Sequence, residues 1–318
     1  MALVYVSDSD PGITRRRCGR GFTYLAPDGT TIARGTERNR IETLAVPPAY
    51  QDVWICTQAD GHLQATGRDA RRRKQYRYHP DWSQARAQTK FQQLVDFADC
   101  LPTIRRKVAR DLDTEPGEVT FALAAAVAVI DRVALRVGNP DYTRENGSHG
   151  ALTLKPRHLH LRDGGLELRF TAKGGKKVRK TITDKKLQKL LHKINDIPGA
   201  TLLSWVDAEG QAQTLSSQQL NDYLSEAGGA HEFTAKTFRT WAGTLAAFNA
   251  AEKGDATIKQ MSEAAAARLH NTPSIARTSY IHPAVIDLAG SAAVQNDAVA
   301  KRGLFADEQR LLGLLRRS

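Results

Sequence analysis

The chain has 318 residues and a basic balance, with 46 Lys and Arg against 34 Asp and Glu and a formal net charge of +12. This length exceeds what a single hydrophobic core usually organises, so we expect two domains. The 41% hydrophobic content is typical of a globular protein. The longest apolar run, Phe121–Ile130, is shorter than the roughly 18 residues of a membrane span. We therefore expect no membrane association and a polyanionic partner.

The N-terminal segment has no secretory signal, because Asp8 and Asp10 follow the first apolar residues and no basic region precedes them. The three cysteines, Cys18, Cys56 and Cys100, are too widely spaced for a metal knuckle. We expect them to be reduced thiols. Both features favour a cytoplasmic protein.

Residues 1–80 predict a small β-rich domain. Short runs of β-forming residues are separated by turn sequences, and one short helical pattern stops before two prolines. The predicted strands are Phe22–Leu25, Val53–Thr57 and His62–Thr66, and the predicted helix is Glu37–Leu44. From Asp81 onward the periodicity becomes helical, so we place the domain boundary near His79 and Pro80.

Residues 81–318 predict a larger, mainly α-helical domain with an inserted β meander, so the expected fold class is α+β. The most apolar helix, Val119–Val137, should be buried and should end at Gly138-Asn139-Pro140. Alternating patterns predict meander strands at Leu152–Leu154, His158–Arg162, Leu166–Thr171 and Val178–Ile182. Further helices are predicted at Lys185–Ile194, Gln218–Ala227, Ala235–Lys253, Ile258–Leu269 and Ala306–Leu315.

The chain carries no sequence motif for nucleotide- or metal-driven chemistry. We find no GxxxxGK[ST] phosphate loop, no GxGxxG, no HExxH and no carboxylate cluster at metal-ligand spacing. We therefore expect no cofactor and no metal ion. Any chemistry on a phosphate should be carried out by side chains.

A basic strip between positions 68 and 78 interleaves cations with tyrosines. Its members are Arg68, Arg71, Arg72, Arg73, Lys74, Tyr76, Arg77 and Tyr78. A charge run is more often a solvated surface. Here the tyrosines and the net charge favour contacts to the phosphates and sugars of a nucleic acid.

Six further positions form an ordered set with catalytic potential: Arg136, Lys173, the Lys236-x-x-Arg239 pair, Asn271 and Tyr280. Each has an ordinary explanation as well. Arg136 can complement a helix C-terminus, and Lys173 can be an exposed lysine in a turn. Lys236 and Arg239 can lie on a solvated helix face, and Tyr280 can serve only in packing. Together they supply cations for phosphate oxygens, a proton donor and a phenolic nucleophile.

Six sequence segments, spread along nearly the whole chain, support the same interpretation. They are Gly19–Phe22, Pro47–Ile55, Gly61–Ala70, Arg136–Pro140, Lys236–Trp241 and Ser279–Pro283. Through them the sequence resembles the small bacterial type IB DNA topoisomerases, which are similar to the poxvirus enzymes. The resemblance implies relaxation of positive and negative supercoils through a 3′-phosphotyrosyl intermediate, without ATP or metal. It also implies a monomer that clamps double-stranded DNA, associated with the nucleoid, with residues 1–80 as the DNA-clamp domain and residues 81–318 as the catalytic domain.

The resemblance also implies roles for the individual residues. Tyr280 would be the nucleophile, Arg136 and Arg239 would bind the scissile phosphate, and Lys173 would be the general acid. Asn271 stands where viral and eukaryotic relatives carry His, and would hydrogen-bond a non-bridging oxygen. Lys236 would contact DNA. Gly174 replaces the acidic residue of the poxvirus enzymes.

Two other functions remain open at this stage. A tyrosine recombinase or integrase uses a similar Arg, Lys, Arg and Tyr set, but usually carries His-x-x-Arg where this chain has Lys236-x-x-Arg239. A noncatalytic DNA-binding protein would use the same cations only to coat phosphates, and would form no covalent adduct.

Overall fold

The computed structural model describes residues 3–162, 165–197, 199–229, 231–292 and 298–318. The chain divides into two compact units, residues 1–89 and 90–318. The helix Pro80–Asp111, which begins at the predicted boundary, contributes residues to both units. The predicted assignment of a DNA-clamp domain and a catalytic domain stays a prediction.

The first unit is built on a five-stranded antiparallel sheet. Its strands are β1 (Ile13–Cys18), β2 (Gly21–Leu25), β3 (Gln51–Ile55), β4 (Leu63–Arg68) and β5 (Lys74–Tyr78), in the spatial order β2-β1-β3-β4-β5. Helix α1 (Thr36–Thr43) covers one face through the buried Ile41, which packs with Ile13 and Ile55. Strands β1 and β5 were not predicted.

The second unit is mainly helical, and its helices, apart from the short Pro140–Asn146, share one apolar core. They are α2 (Pro80–Asp111, which begins in the first unit), α3 (Val119–Val133), α4 (Pro140–Asn146), α5 (Lys185–Asn195), α6 (Ser217–Ala227), α7 (Ala235–Ala251), α8 (Ile258–Leu269), α9 (Pro273–Tyr280), α10 (Pro283–Ile286) and α11 (Ala306–Leu315). Helix α3 is apolar except at Thr120, Asp131 and Arg132, and it contacts α5, α6 and α7, so it lies at the centre of this core. No described helix is both long and apolar enough to cross a membrane.

The meander is a three-stranded antiparallel sheet of β6 (Leu159–Arg162), β7 (Gly165–Ala172) and β8 (Lys176–Ile182). Its apolar face, with Leu166, Leu168 and Phe170, joins the helical core. The predicted strand at 152–154 was wrong, because residues 151–153 form a 3-10 turn. A small hairpin, β9 (Ser204–Val206) and β10 (Ala212–Thr214), was not predicted. The α+β class with an inserted meander is confirmed.

Helix α3 ends earlier than predicted, and this changes the setting of Arg136. Ala134 adopts a left-handed conformation (φ 57°, ψ 36°) and caps the helix through its N–H to the Ile130 carbonyl, 2.8 Å away. Arg136 therefore lies beyond the helix. Its backbone carbonyl accepts a 2.7 Å hydrogen bond from the N–H of Ala151. The prediction that Arg136 closes the helix was wrong.

Candidate active site

Tyr280 is the last residue of helix α9, and helix α7 holds its backbone. The Tyr280 carbonyl accepts a 3.1 Å hydrogen bond from Thr244 Oγ1. Gly243 permits this approach, because a Cβ there would lie 2.9 Å from the Tyr280 carbonyl oxygen and 3.0 Å from its Cβ. The Tyr280 side chain is half-buried. The backbone of the tyrosine is thus fixed while its side chain keeps access to solvent.

Arg239, on helix α7, is only 3% exposed and lies beside Tyr280. Its two terminal nitrogens donate to the carbonyls of Ala134 and Leu269, the latter at 3.1 Å. Its guanidinium carbon is 5.2 Å from the centroid of the Tyr280 ring. Burial, reinforced by the charge of Arg136, lowers the pKa of Arg239 to about 10, so it still carries its charge at neutral pH. Lys236, one turn earlier, is exposed.

Arg136 and Asn271 are brought together from distant parts of the chain. Asn271 follows His270, which ends helix α8 in a left-handed conformation with φ 54°. One terminal nitrogen of Arg136 donates to the Asn271 side-chain oxygen. Burial lowers the pKa of Arg136 from its ordinary value. The hydrogen bond orients both side chains before any ligand arrives.

Two buried donors at this site have no hydrogen-bond partner among the described residues. They are Nε of Arg239 and Nδ2 of Asn271. An unsatisfied buried polar group costs about 1–3 kcal/mol, and more when it is charged. An anion bound beside Arg136 and Arg239 would compensate the positive charges of both arginines.

Lys173 lies in the turn between β7 and β8, as predicted from the flanking glycines. Gly174 and Gly175 take positive φ angles of 79° and 77°, which glycine adopts without strain. The Lys173 side chain is exposed, and its Nζ is 5.8 Å from the ring centroid of Tyr142. Lys173 and Arg136 line one pocket of about 160 Å³, whose lining does not include Tyr280.

Two lysines at this site were missed by the sequence reasoning. Lys90 on α2 donates a 2.9 Å hydrogen bond from Nζ to the Ser279 carbonyl, and burial together with Lys236 lowers its pKa to about 8. Lys176 at the start of β8 donates a 2.8 Å hydrogen bond to the Asn271 carbonyl. No local signal could have found either contact, because each joins residues far apart in sequence.

The basic strip forms the β4–β5 hairpin in the first unit, where carboxylates pair with part of its charge. Asp69 pairs with Arg73 at 2.6 Å, and this pairing lowers the Asp69 pKa to about 2. Asp8 pairs with Lys74. The strip also presents the exposed Tyr76 and Tyr78, which are stacked with ring centroids 6.0 Å apart. Nε of Arg68 lies 3.6 Å from an Asp52 carboxylate oxygen, and Arg77 donates a hydrogen bond to the Ala45 carbonyl. Arg71 and Arg72 are exposed. A role in DNA contact stays a prediction for all of them.

Comparisons with known proteins cover both units. Residues 79–278 match the family described as eukaryotic DNA topoisomerase I, catalytic core. Residues 21–69 match the family described as bacterial DNA topoisomerase IB, N-terminal domain. A viral relative, DNA topoisomerase 1B of Acanthamoeba polyphaga mimivirus, is 27% identical over 293 residues, which cover 87% of this chain and 87% of the relative.

Proposed function

Since the chain belongs to the type IB DNA topoisomerase family, we propose that it relaxes positive and negative supercoils by cutting and rejoining one strand of duplex DNA. The cut passes through a 3′-phosphotyrosyl bond to Tyr280 and needs neither ATP nor metal. The observation that carries this proposal is the buried Arg239, whose guanidinium carbon lies 5.2 Å from the Tyr280 ring centroid and whose pKa is lowered in part by the nearby charge of Arg136. Two cations beside a phenol suit the negative charge of a scissile phosphate.

The proposed cleavage step assigns one role to each side chain. The Tyr280 hydroxyl gives its proton to solvent water and its oxygen attacks phosphorus, while the bond from phosphorus to the 5′ oxygen breaks. Arg136, Arg239 and Asn271 stabilise the negative charge on the non-bridging oxygens. Lys173 gives a proton to the departing 5′ oxygen, since an alkoxide is a poor leaving group.

Rejoining is the same step in reverse. The 5′ hydroxyl returns its proton to Lys173 and attacks phosphorus, the bond from phosphorus to the Tyr280 oxygen breaks, and that oxygen takes a proton from solvent water. One phosphodiester replaces another, so the reaction needs no external energy source. Torsional strain in the DNA drives rotation of the strand between the two steps.

Specific observations favour this function over the two alternatives. A tyrosine recombinase is disfavoured because residues 21–69 match a bacterial topoisomerase IB N-terminal domain. A protein that only coats phosphates has no need of a buried arginine with an unpaired donor beside a tyrosine. We further propose that the protein acts as a monomer that clamps the duplex, in the cytoplasm on the nucleoid.

Relaxation of a supercoiled plasmid tests the proposed function. We expect full activity on positively and negatively supercoiled plasmid in excess chelator and without nucleotide, because side chains supply every charge that the reaction needs. Agarose gel electrophoresis of the topoisomers measures it. A strict requirement for Mg²⁺ or for ATP would contradict the proposal.

The contribution of the basic strip is tested by the salt dependence of DNA binding. Replacing Arg71, Arg72 and Arg73 together with Ala should weaken noncovalent binding and flatten the slope of log K against log salt, since each lost phosphate contact removes about 0.9 from it. Arg73→Ala alone separates the loss of the Asp69 pair from the loss of DNA contacts. Arg34→Ala, an exposed charge outside the strip, is the matched control. An unchanged slope in the triple variant would place the strip away from DNA.

A further inference from the structure

Lys176 joins the turn that carries Lys173 to the loop that carries Asn271. It is the first residue of β8, and in the sheet register it pairs with Ala172, the last residue before Lys173. Its Nζ donates a 2.8 Å hydrogen bond to the Asn271 carbonyl, across 95 positions of sequence. The contact thus connects two parts of the site to which the proposed function gives different roles in the cleavage step.

The turn itself has little else to hold it in place. A Cβ built on Gly174 or Gly175 would meet no atom within 4 Å, so open space surrounds both glycines. The Lys173 side chain is exposed, and its Nζ lies 5.8 Å from the centroid of the Tyr142 ring. A weak cation–π contact of this kind contributes little at an exposed position. The direction of Lys173 therefore depends on the strands that enter and leave the turn.

The acceptor of the Lys176 hydrogen bond is suited to a cation. The Asn271 carbonyl lies just past the C-terminus of helix α8, where the helix dipole and unpaired carbonyls favour positive charge. The same residue holds Arg136 through its side-chain oxygen. Asn271 is thus bonded to Arg136 on one side and to the hairpin on the other.

We propose that Lys176 is a positioning residue that fastens the β7–β8 hairpin to the Asn271 loop and thereby directs Lys173 at the leaving 5′ oxygen. This inference rests on the proposed function, in which Lys173 is the general acid. A misplacement of about 1 Å in a reacting group can slow a step by about 10²-fold. Lys176→Met should therefore slow cleavage by roughly 10- to 100-fold without weakening noncovalent DNA binding by a comparable factor.

The test compares cleavage rates under single turnover on two substrates, an ordinary duplex and one with a 5′-bridging phosphorothiolate at the cleavage site. The proteins are the wild type, Lys176→Met, Lys176→Arg, Lys173→Ala and the double variant Lys173→Ala/Lys176→Met. The matched control is Lys177→Met, the next residue of the same strand, whose Nζ donates to Thr171 Oγ1 at 3.0 Å within the hairpin. Thermal unfolding of each variant checks that it folds.

The proposal predicts that Lys176→Met is slow on the ordinary duplex and near the wild-type rate on the phosphorothiolate, whose thiolate leaves without a proton. Lys176→Arg should keep most of the activity, and Lys177→Met should match the wild type. In the Lys173→Ala background, Lys176→Met should cost nothing more, because its effect passes through Lys173. Hydrogen exchange of residues 173–177 should be faster in Lys176→Met than in Lys177→Met.

Three results would overturn the proposal: an unchanged rate in Lys176→Met, a slow rate that the phosphorothiolate does not restore, or a full additional loss in the double variant. The last two would mean that Lys176 acts on the phosphate or through Asn271. The Lys173→Ala variant tests the proposed function separately. If the phosphorothiolate does not restore cleavage by that variant, Lys173 is not the general acid. The hydrogen-exchange measurement on residues 173–177 does not depend on the reaction.

Discussion

A Tyr280→Phe protein should form no covalent adduct with DNA and should relax no plasmid. The substitution removes the attacking oxygen and keeps the ring, and the backbone contacts to Thr244 and Gly243 are unaffected. Loss of a catalytic nucleophile costs roughly 10⁶-fold in a well-studied protease, so we expect a loss of at least roughly 10⁴-fold here. Denaturing gel electrophoresis of labelled DNA measures the adduct.

The same variant should fold and bind DNA noncovalently like the wild type. Tyr5→Phe, which removes a hydroxyl from an exposed tyrosine of the first unit, is the matched control and should form adduct normally. Adduct formation by Tyr280→Phe at a rate near that of the control would show that another residue is the nucleophile.

A Lys173→Ala protein should cleave DNA about 10²- to 10⁴-fold more slowly, the usual contribution of general acid catalysis. The nucleophile and both arginines remain, so noncovalent binding should change little. A substrate with a 5′-bridging phosphorothiolate should restore cleavage, because its thiolate leaves without a proton. Single-turnover rates on both substrates measure the effect.

Rescue of other variants sharpens this assignment. The phosphorothiolate should not restore cleavage by Tyr280→Phe, and it should help Asn271→Ala only weakly, because Asn271 is assigned to a non-bridging oxygen. Equal rescue of Lys173→Ala and Asn271→Ala would mean that the acid is wrongly assigned. No rescue of Lys173→Ala would leave it as a phosphate-binding or structural lysine.

The elements that the sequence predicted well are those whose burial follows a regular period. Helix α8 lies at its predicted bounds, because apolar residues recur on one face and Thr257 with Gln260 caps its start. Strands β1 and β5 were missed because their sequences, Ile13–Cys18 and Lys74–Tyr78, are mostly exposed and show no apolar alternation.

The sequence supplied candidates for the site but not their geometry. The sequence segments around Arg136, Arg239 and Tyr280 singled out these positions, and their roles stay predictions. The left-handed Ala134 that moves Arg136 off its helix has no sequence signal, since alanine favours helix. The contacts made by Lys90 and Lys176 depend on tertiary packing. Each therefore needed the structure to be seen.

The most direct test of the central claim is to trap the covalent adduct and to identify both ends of its bond. A duplex with a nick just downstream of the cut releases the short 5′-hydroxyl fragment, so rejoining fails and the adduct accumulates. Proteolysis and mass spectrometry of the trapped complex should find Tyr280 joined to a 3′ phosphate. A phosphate attached through its 5′ end, a link to any other residue, or no adduct with the wild-type protein would contradict the account.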